Sequence, residues 1–91
     1  MYEIMTITKI EIGEDKAKEV STNIQELINS LNGKVESTEF WGKRKFAYPI
    51  KHSTEGYYDV INFDLSTDKV SDLKSKLNLM QDLVRYLVTA N

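Results

Sequence analysis

Lys43, Arg44 and Lys45 are three adjacent cations inside the run Trp41-Gly42-Lys43-Arg44-Lys45-Phe46-Ala47-Tyr48-Pro49-Ile50. Cations neutralise phosphates, and an aromatic such as Trp41 or Tyr48 can stack on an unpaired base, so the run holds the parts of an RNA contact. The same residues suit a solvated edge strand that positive charge protects from aggregation. Spacing alone leaves these two readings level. Tyr57 and Tyr58 could form a stacking platform on a sheet. However, the Gly-aromatic-Gly run followed by aromatics that marks RNA-recognition sheets is absent. Tyr57 therefore reads as core and Tyr58 as a protein contact. Arg85 could pair with a phosphate, or with Asp82 or Glu3 on the surface, where an exposed ion pair contributes little.

Other chemistries find few parts. His52 is the only histidine, it falls in a turn, and the chain has no cysteine, so no metal site is expected. Asp68, Asp72 and Asp82 lack calcium-loop spacing. There is no Ser-His-Asp set and no Gly-rich phosphate loop. No enzyme, cofactor or small-molecule substrate is expected. The 91 residues suit one domain, residues 1–91. A net charge of −2 argues against coating nucleic acid by charge alone. RNA binding would use a local patch or be shared with a more basic partner. No apolar run approaches a membrane span and no secretory signal is read, so no membrane partner and a cytosolic home are expected.

The elements that must position these residues follow from periodicity. Tyr2 to Ile10 reads as a strand with Ile4, Thr6 and Thr8 on one side and Met5 and Ile7 on the other, a pattern of a central strand. Ala17, Val20, Ile24, Leu27, Ile28 and Leu31 form one stripe of a helix, with Glu14 and Asp15 at its N-terminus and Gly33 at the left-handed position after its end. Lys34 to Ile50 reads as a long strand whose phase breaks: Val35 and Trp41 lie on one face, Phe46, Tyr48 and Ile50 on the other. A bulge near Gly42 would bring both sets to one core. Pro49 places this strand at a sheet edge. His52 to Gly56 reads as a turn. Gly56 to Leu65 then sets Tyr57, Ile61, Phe63 and Leu65 against Tyr58, Val60 and Asn62. Ser66 caps a second helix whose inner face is Val70, Leu73 and Leu77. In Leu83 to Thr89, the set Leu83, Arg85 and Leu87 alternates with Val84, Tyr86 and Val88. The order β-α-β-β-α-β predicts an α+β, ferredoxin-like fold: a four-stranded antiparallel sheet with two helices on one face. The other face stays open, with Met5, Ile7, Tyr58 and Val60 on it, and such a patch calls for a partner.

Several segments in order resemble the bacterial ribosomal small-subunit protein six family. They are Tyr2-Glu3-Ile4, Gly33-Lys34-Val35, the run Trp41 to Ile50, Gly56-Tyr57-Tyr58 and Val84-Arg85-Tyr86-Leu87. The resemblance spans nearly the whole chain, and the central run is its specific part. It implies the same fold, no catalytic role, a ribosomal location, and binding of small-subunit ribosomal RNA together with the small basic ribosomal small-subunit protein eighteen. By position it implies RNA contact for Tyr2 and Arg85, and for Lys43, Arg44 and Lys45 contact with RNA or partner. Trp41, Tyr58 and Val60 are expected to meet the partner protein. Many family members carry extra basic residues before the first strand and a tail after the last. Here Met1 alone precedes Tyr2 and the sequence ends at Asn91, so tail-mediated contact is not expected of it. Two rivals stand beside this reading. One is a protein-interaction or ligand-sensing module on the same fold. The other is an acyl-phosphate hydrolase, which would want an Arg-bearing anion loop that Ile10 to Gly13 does not offer.

Overall fold

The computed structural model describes the backbone of residues 1–50 and 53–90 and the side chains of residues 1–45 and 55–90. The elements are β1 (Tyr2–Lys9), a 3-10 turn (Ile10–Ile12), α1 (Glu14–Ser30), β2 (Lys34–Ile50), β3 (Ser53–Asp64), α2 (Thr67–Leu77) and β4 (Leu83–Ala90). The strands form one antiparallel sheet in the order β2-β3-β1-β4. This is the expected ferredoxin-like arrangement, with β1 inside and the Pro49-bearing β2 at an edge. His52 lies outside the described residues, as do the side chains of Phe46, Tyr48, Pro49 and Ile50. The strand after the hairpin starts earlier than the sequence pattern suggests, because Lys45 pairs with Glu55 and the ladder runs on toward the turn.

Both helices lie over one face. Val20, Ile24 and Ile28 of α1 and Leu73 and Leu77 of α2 meet Ile4, Ile61, Phe63 and Leu83 of the sheet. Each such aliphatic or aromatic side chain, once buried, contributes roughly 1.5–3 kcal/mol before chain entropy opposes it. Ser66 does stand at the N-cap of α2, but its hydroxyl bonds the Asp68 carboxylate rather than a backbone N–H.

The end of α1 differs from expectation in one residue. Asn32, not Gly33, carries the left-handed conformation, with φ 66°. Asn32 N–H donates to the Asn29 carbonyl (3.0 Å) and Gly33 N–H to the Ile28 carbonyl (2.9 Å), which closes the helix with a Schellman pair of bonds. Gly33 is required for space: a Cβ there would stand 2.8 Å from both the Asp64 carbonyl oxygen and Ile28 Cγ2.

The register of the long β2 against β3 shifts between Val35 and Ser37, between Phe40 and Gly42, and again between Lys45 and Ile50; the first two shifts are bulges of one residue each. Val35 faces Phe63 while Ser37 faces Asn62, so Glu36 is an extra residue. Phe40 faces Asp59 while Gly42 faces Tyr58, so Trp41 is another. The second bulge is the one expected near Gly42, whose φ is 79°. Its effect differs from the shared core that the phase break suggested. Phe40 turns to the helix side, where its ring stacks on Tyr57 and Lys18 Nζ sits 5.6 Å from its centroid. Trp41 turns to the open side. A further irregularity corrects β4: Ile7 faces Arg85 and Thr8 faces Leu83, so Val84 is extra and Leu83 swings into the core, away from the face of Arg85 and Leu87.

One core group has no apolar rationale. Asp59 is 4% exposed, opposite Thr6 and Phe40, and neither carboxylate oxygen has a hydrogen-bond partner. Burial pushes its carboxyl above the ordinary carboxylate value. The Ser21 hydroxyl and Val60 amide, close by but out of hydrogen-bonding geometry, offset part of that effect.

Candidate functional site

Strand register arranges the open face into rows, because directly opposed residues of an antiparallel pair project to the same side. The first row crosses Lys9, Gly56 and Arg44. The second holds Arg85, Ile7 and Tyr58 with Gly42. Beside it Trp41 lies on Tyr58, with ring centroids 6.4 Å apart and planes 4° from parallel. In the third row are Leu87, Met5, Val60 and Glu39, and in the fourth Thr89, Glu3, Asn62 and Ser37. Asn62 Nδ2 donates to Ser37 Oγ at 3.2 Å in that last row.

The face is therefore zoned. One end is cationic, with Lys9, Arg44 and Arg85. The middle is apolar and aromatic, with Trp41, Tyr58, Ile7, Met5, Val60 and Leu87. The far end is polar and carries Glu3. Leu87 is 60% exposed and Trp41 38% exposed, while Ile7 and Val60 of the same zone are buried, so Leu87 and Trp41 are the large apolar side chains this zone presents most to solvent. A shallow cleft between Met5, Ile7, Arg85 and Leu87 continues the apolar zone to the β4 edge.

The expected site residues divide between the two faces. Trp41, Tyr58, Val60, Arg44 and Arg85 share the open face. Lys43 and Lys45 face the other way, opposite Tyr57 and Glu55, so the three-cation run is split by ordinary strand alternation. Tyr2 also lies on the helix side, where its ring stacks on Phe63 at 5.8 Å and its hydroxyl reaches Thr67 Oγ1 at 3.3 Å. Among the described residues, Arg85 joins no ion pair with Asp82 or Glu3, and Lys9 and Arg44 join none either. Arg44 Nη1 donates to the Lys43 carbonyl at 3.0 Å, which leaves the rest of its guanidinium free to bind.

Lys9 and Leu87 are additions to the expected set. Lys9 ends β1 in odd phase with Met5 and Ile7, and that alternation is the signal that would have found it. Leu87 has the same phase as Arg85. No helix is long and apolar enough to cross a membrane, and no group of three metal-ligating side chains occurs among the described residues.

Comparison with known proteins accords with this geometry. A family model described as ribosomal protein S6 matches residues 1–90. The small ribosomal subunit protein bS6 of Dictyoglomus turgidum is 40% identical over 88 residues, covering 97% of this chain and 91% of that protein. The bS6 protein of Fusobacterium nucleatum is 36% identical, covering 96% and 93%. The crystal structure of 30S ribosomal protein S6 from Thermotoga maritima superposes with a TM-score of 0.94 at 27% identity, covering 99% of this chain and 85% of that one.

Proposed function

The chain belongs to the ribosomal protein S6 family, and on that premise we propose that it binds small-subunit ribosomal RNA jointly with ribosomal small-subunit protein eighteen. Family membership makes it a structural protein of the small ribosomal subunit, located with the ribosome in the cytoplasm, and not an enzyme. The observation that carries the proposal is the zoning of the open face. Its apolar middle suits a protein surface and its cationic end suits phosphates, so one face can hold a partner and RNA side by side.

In this reading Trp41, Tyr58 and Val60 dock the partner protein. Arg44 and Arg85 contact RNA phosphates at the border of that docking zone. Lys43 and Lys45 contribute from the helix-side face at the β2 edge, and Tyr2 through its hydroxyl at the start of β1. A net charge of −2 leaves the chain without a general attraction for RNA, so a basic partner that shares the site supplies what this chain lacks.

The test is a titration of a small-subunit ribosomal RNA fragment with and without the partner at two salt concentrations. Tight, salt-sensitive binding is expected only with the partner. Arg44→Glu and Arg85→Glu are expected to weaken it while the fold stays intact. Unchanged binding in both variants would remove these residues from the site. The exposed Trp41 and Leu87 also favour a second reading, a protein-interaction module alone. Self-association through the open face with no effect of RNA would support that instead.

A further inference from the structure

The turn that closes α1 holds two residues able to react with each other. Asn32 precedes Gly33, and of the chain's asparagines only Asn32 is followed by glycine. The side-chain amide of asparagine is an electrophile for the next backbone nitrogen. A glycine in that place gives the least hindered approach, because it adds no side chain and its backbone turns freely. The reaction needs no enzyme. Base removes the Gly33 amide proton, and the nitrogen attacks Cγ of Asn32. A five-membered succinimide forms as the Cγ–Nδ2 bond breaks and ammonia leaves. Water then opens the ring at either carbonyl and yields aspartate or its β-linked isomer, isoaspartate.

The fold exposes the electrophile and locks the nucleophile. Asn32 is exposed to solvent, in the left-handed conformation with φ 66°. Gly33 N–H donates to the Ile28 carbonyl at 2.9 Å, and Asn32 N–H donates to the Asn29 carbonyl at 3.0 Å. The proton that must leave is therefore one of the two that close the helix. Gly33 has little room to shift while that closure holds. A Cβ on it would stand 2.8 Å from both Ile28 Cγ2 and the Asp64 carbonyl oxygen, and Lys34 next to it already pairs with Asp64. Ring closure thus waits for the helix end to open.

The products do not restore the original closure. Aspartate at position 32 places a negative charge at the C-terminal end of α1, where free carbonyls are already partly negative and the last turn holds no basic residue. Isoaspartate lengthens the main chain by one methylene directly before the closely packed Gly33.

We propose that Asn32 and Gly33 form a spontaneous deamidation site whose rate is set by opening of the α1 C-terminus and whose products loosen that end. The site lies in the helix layer and is independent of the RNA-binding reading.

The experiment ages the intact chain in mildly alkaline buffer, native, in sub-denaturing urea and fully unfolded in urea. Peptide mapping by mass spectrometry follows conversion of Asn32, and hydrogen exchange of the Gly33 amide is followed under the same conditions. Conversion is expected to run roughly tenfold or more slower in the native protein than in the unfolded chain, the suppression that two ordinary hydrogen bonds supply. In sub-denaturing urea, conversion and Gly33 exchange are expected to rise in proportion, since both wait for the same bond to break. Equal rates in native and unfolded protein would overturn the gating. So would conversion that follows exchange of the Ile61 amide, deep in the sheet, because global unfolding would then be the gate. No conversion of Asn32 in the unfolded chain would remove the site altogether. Asn32→Asp, which carries the charge of one product, is expected to speed native Gly33 exchange about two- to fivefold relative to its own unfolded chain. Unchanged exchange in that variant would overturn the loosening.

Discussion

Asp59 is a carboxylate in the helix-covered layer with no hydrogen-bond partner on either oxygen. Because burial raises its native titration above the ordinary 3.8, the folded protein keeps a proton that the unfolded chain has already released. Unfolding free energy from this group is then greatest below about 3.8 and declines as pH rises through the native value. Denaturant titrations from pH 3.5 to 7 should show that decline in the wild type and its disappearance in Asp59→Asn. Parallel pH profiles for the two proteins would refute it. The slope is the informative quantity, since a buried amide has hydrogen-bonding needs of its own. Phase on β3 assigns Tyr57, Ile61, Phe63 and Leu65 to the core, and Asp59 shares that phase. Residue type alone says nothing of its burial, because aspartate at such a position is ordinarily exposed. At the site, Arg44 and Arg85 are recognisable as chemistry-bearing from sequence, while for Lys9 alternation gives only its face, and its place in one row with Arg44 appears once β1 and β2 are paired with β3.

At the level of elements, two glycines carry different constraints, and the difference is measurable. Gly33→Ala forces a Cβ against the Asp64 carbonyl and Ile28, and overpacking of this kind costs about 1–3 kcal/mol. Gly42→Ala meets only Phe40 Cε2 at 3.9 Å, so its cost, roughly 1–2 kcal/mol, comes from the positive φ of the bulge. Thermal or urea unfolding reads both. Gly42→Ala should also disturb the Trp41–Tyr58 stack, whereas Gly33→Ala should leave it in place. Element order and type are legible in the sequence because Ile24, Ile28, Ile61 and Phe63 keep strict helical or strand periods. The bulges are less so. A two-residue period cannot say which of Phe40 and Trp41 is the extra residue. That choice is made on the helix side of the sheet, where Lys18 of α1 and the Tyr57 ring of β3 accept Phe40. The same limit explains Leu83, whose inward turn depends on Val84 dropping out of register with β1.

Across the whole molecule, the sheet is a two-sided plate. Helices cover one side and leave on the other a gradient from Lys9, Arg44 and Arg85 through apolar side chains to Glu3. Removing the apolar centre should separate the two proposed contacts. Trp41→Ala together with Leu87→Ser is expected to abolish partner binding, and with it partner-dependent RNA binding, while circular dichroism reports an unchanged fold. Retained partner binding in that double variant would exclude the open face as the docking surface. The fold of this plate is legible from periodicity, but its zoning is not, because it depends on which residues of four strands stand in one row. Trp41 gives that surface an optical signature. It is the only indole in the chain, it lies flat against a phenol, and it borders solvent. Its emission colour follows the polarity around it, so a protein that covers the plate should shift the fluorescence to the blue, whereas loss of the fold should shift it to the red. Assembly and unfolding then appear as opposite changes in the light from one unlabelled side chain.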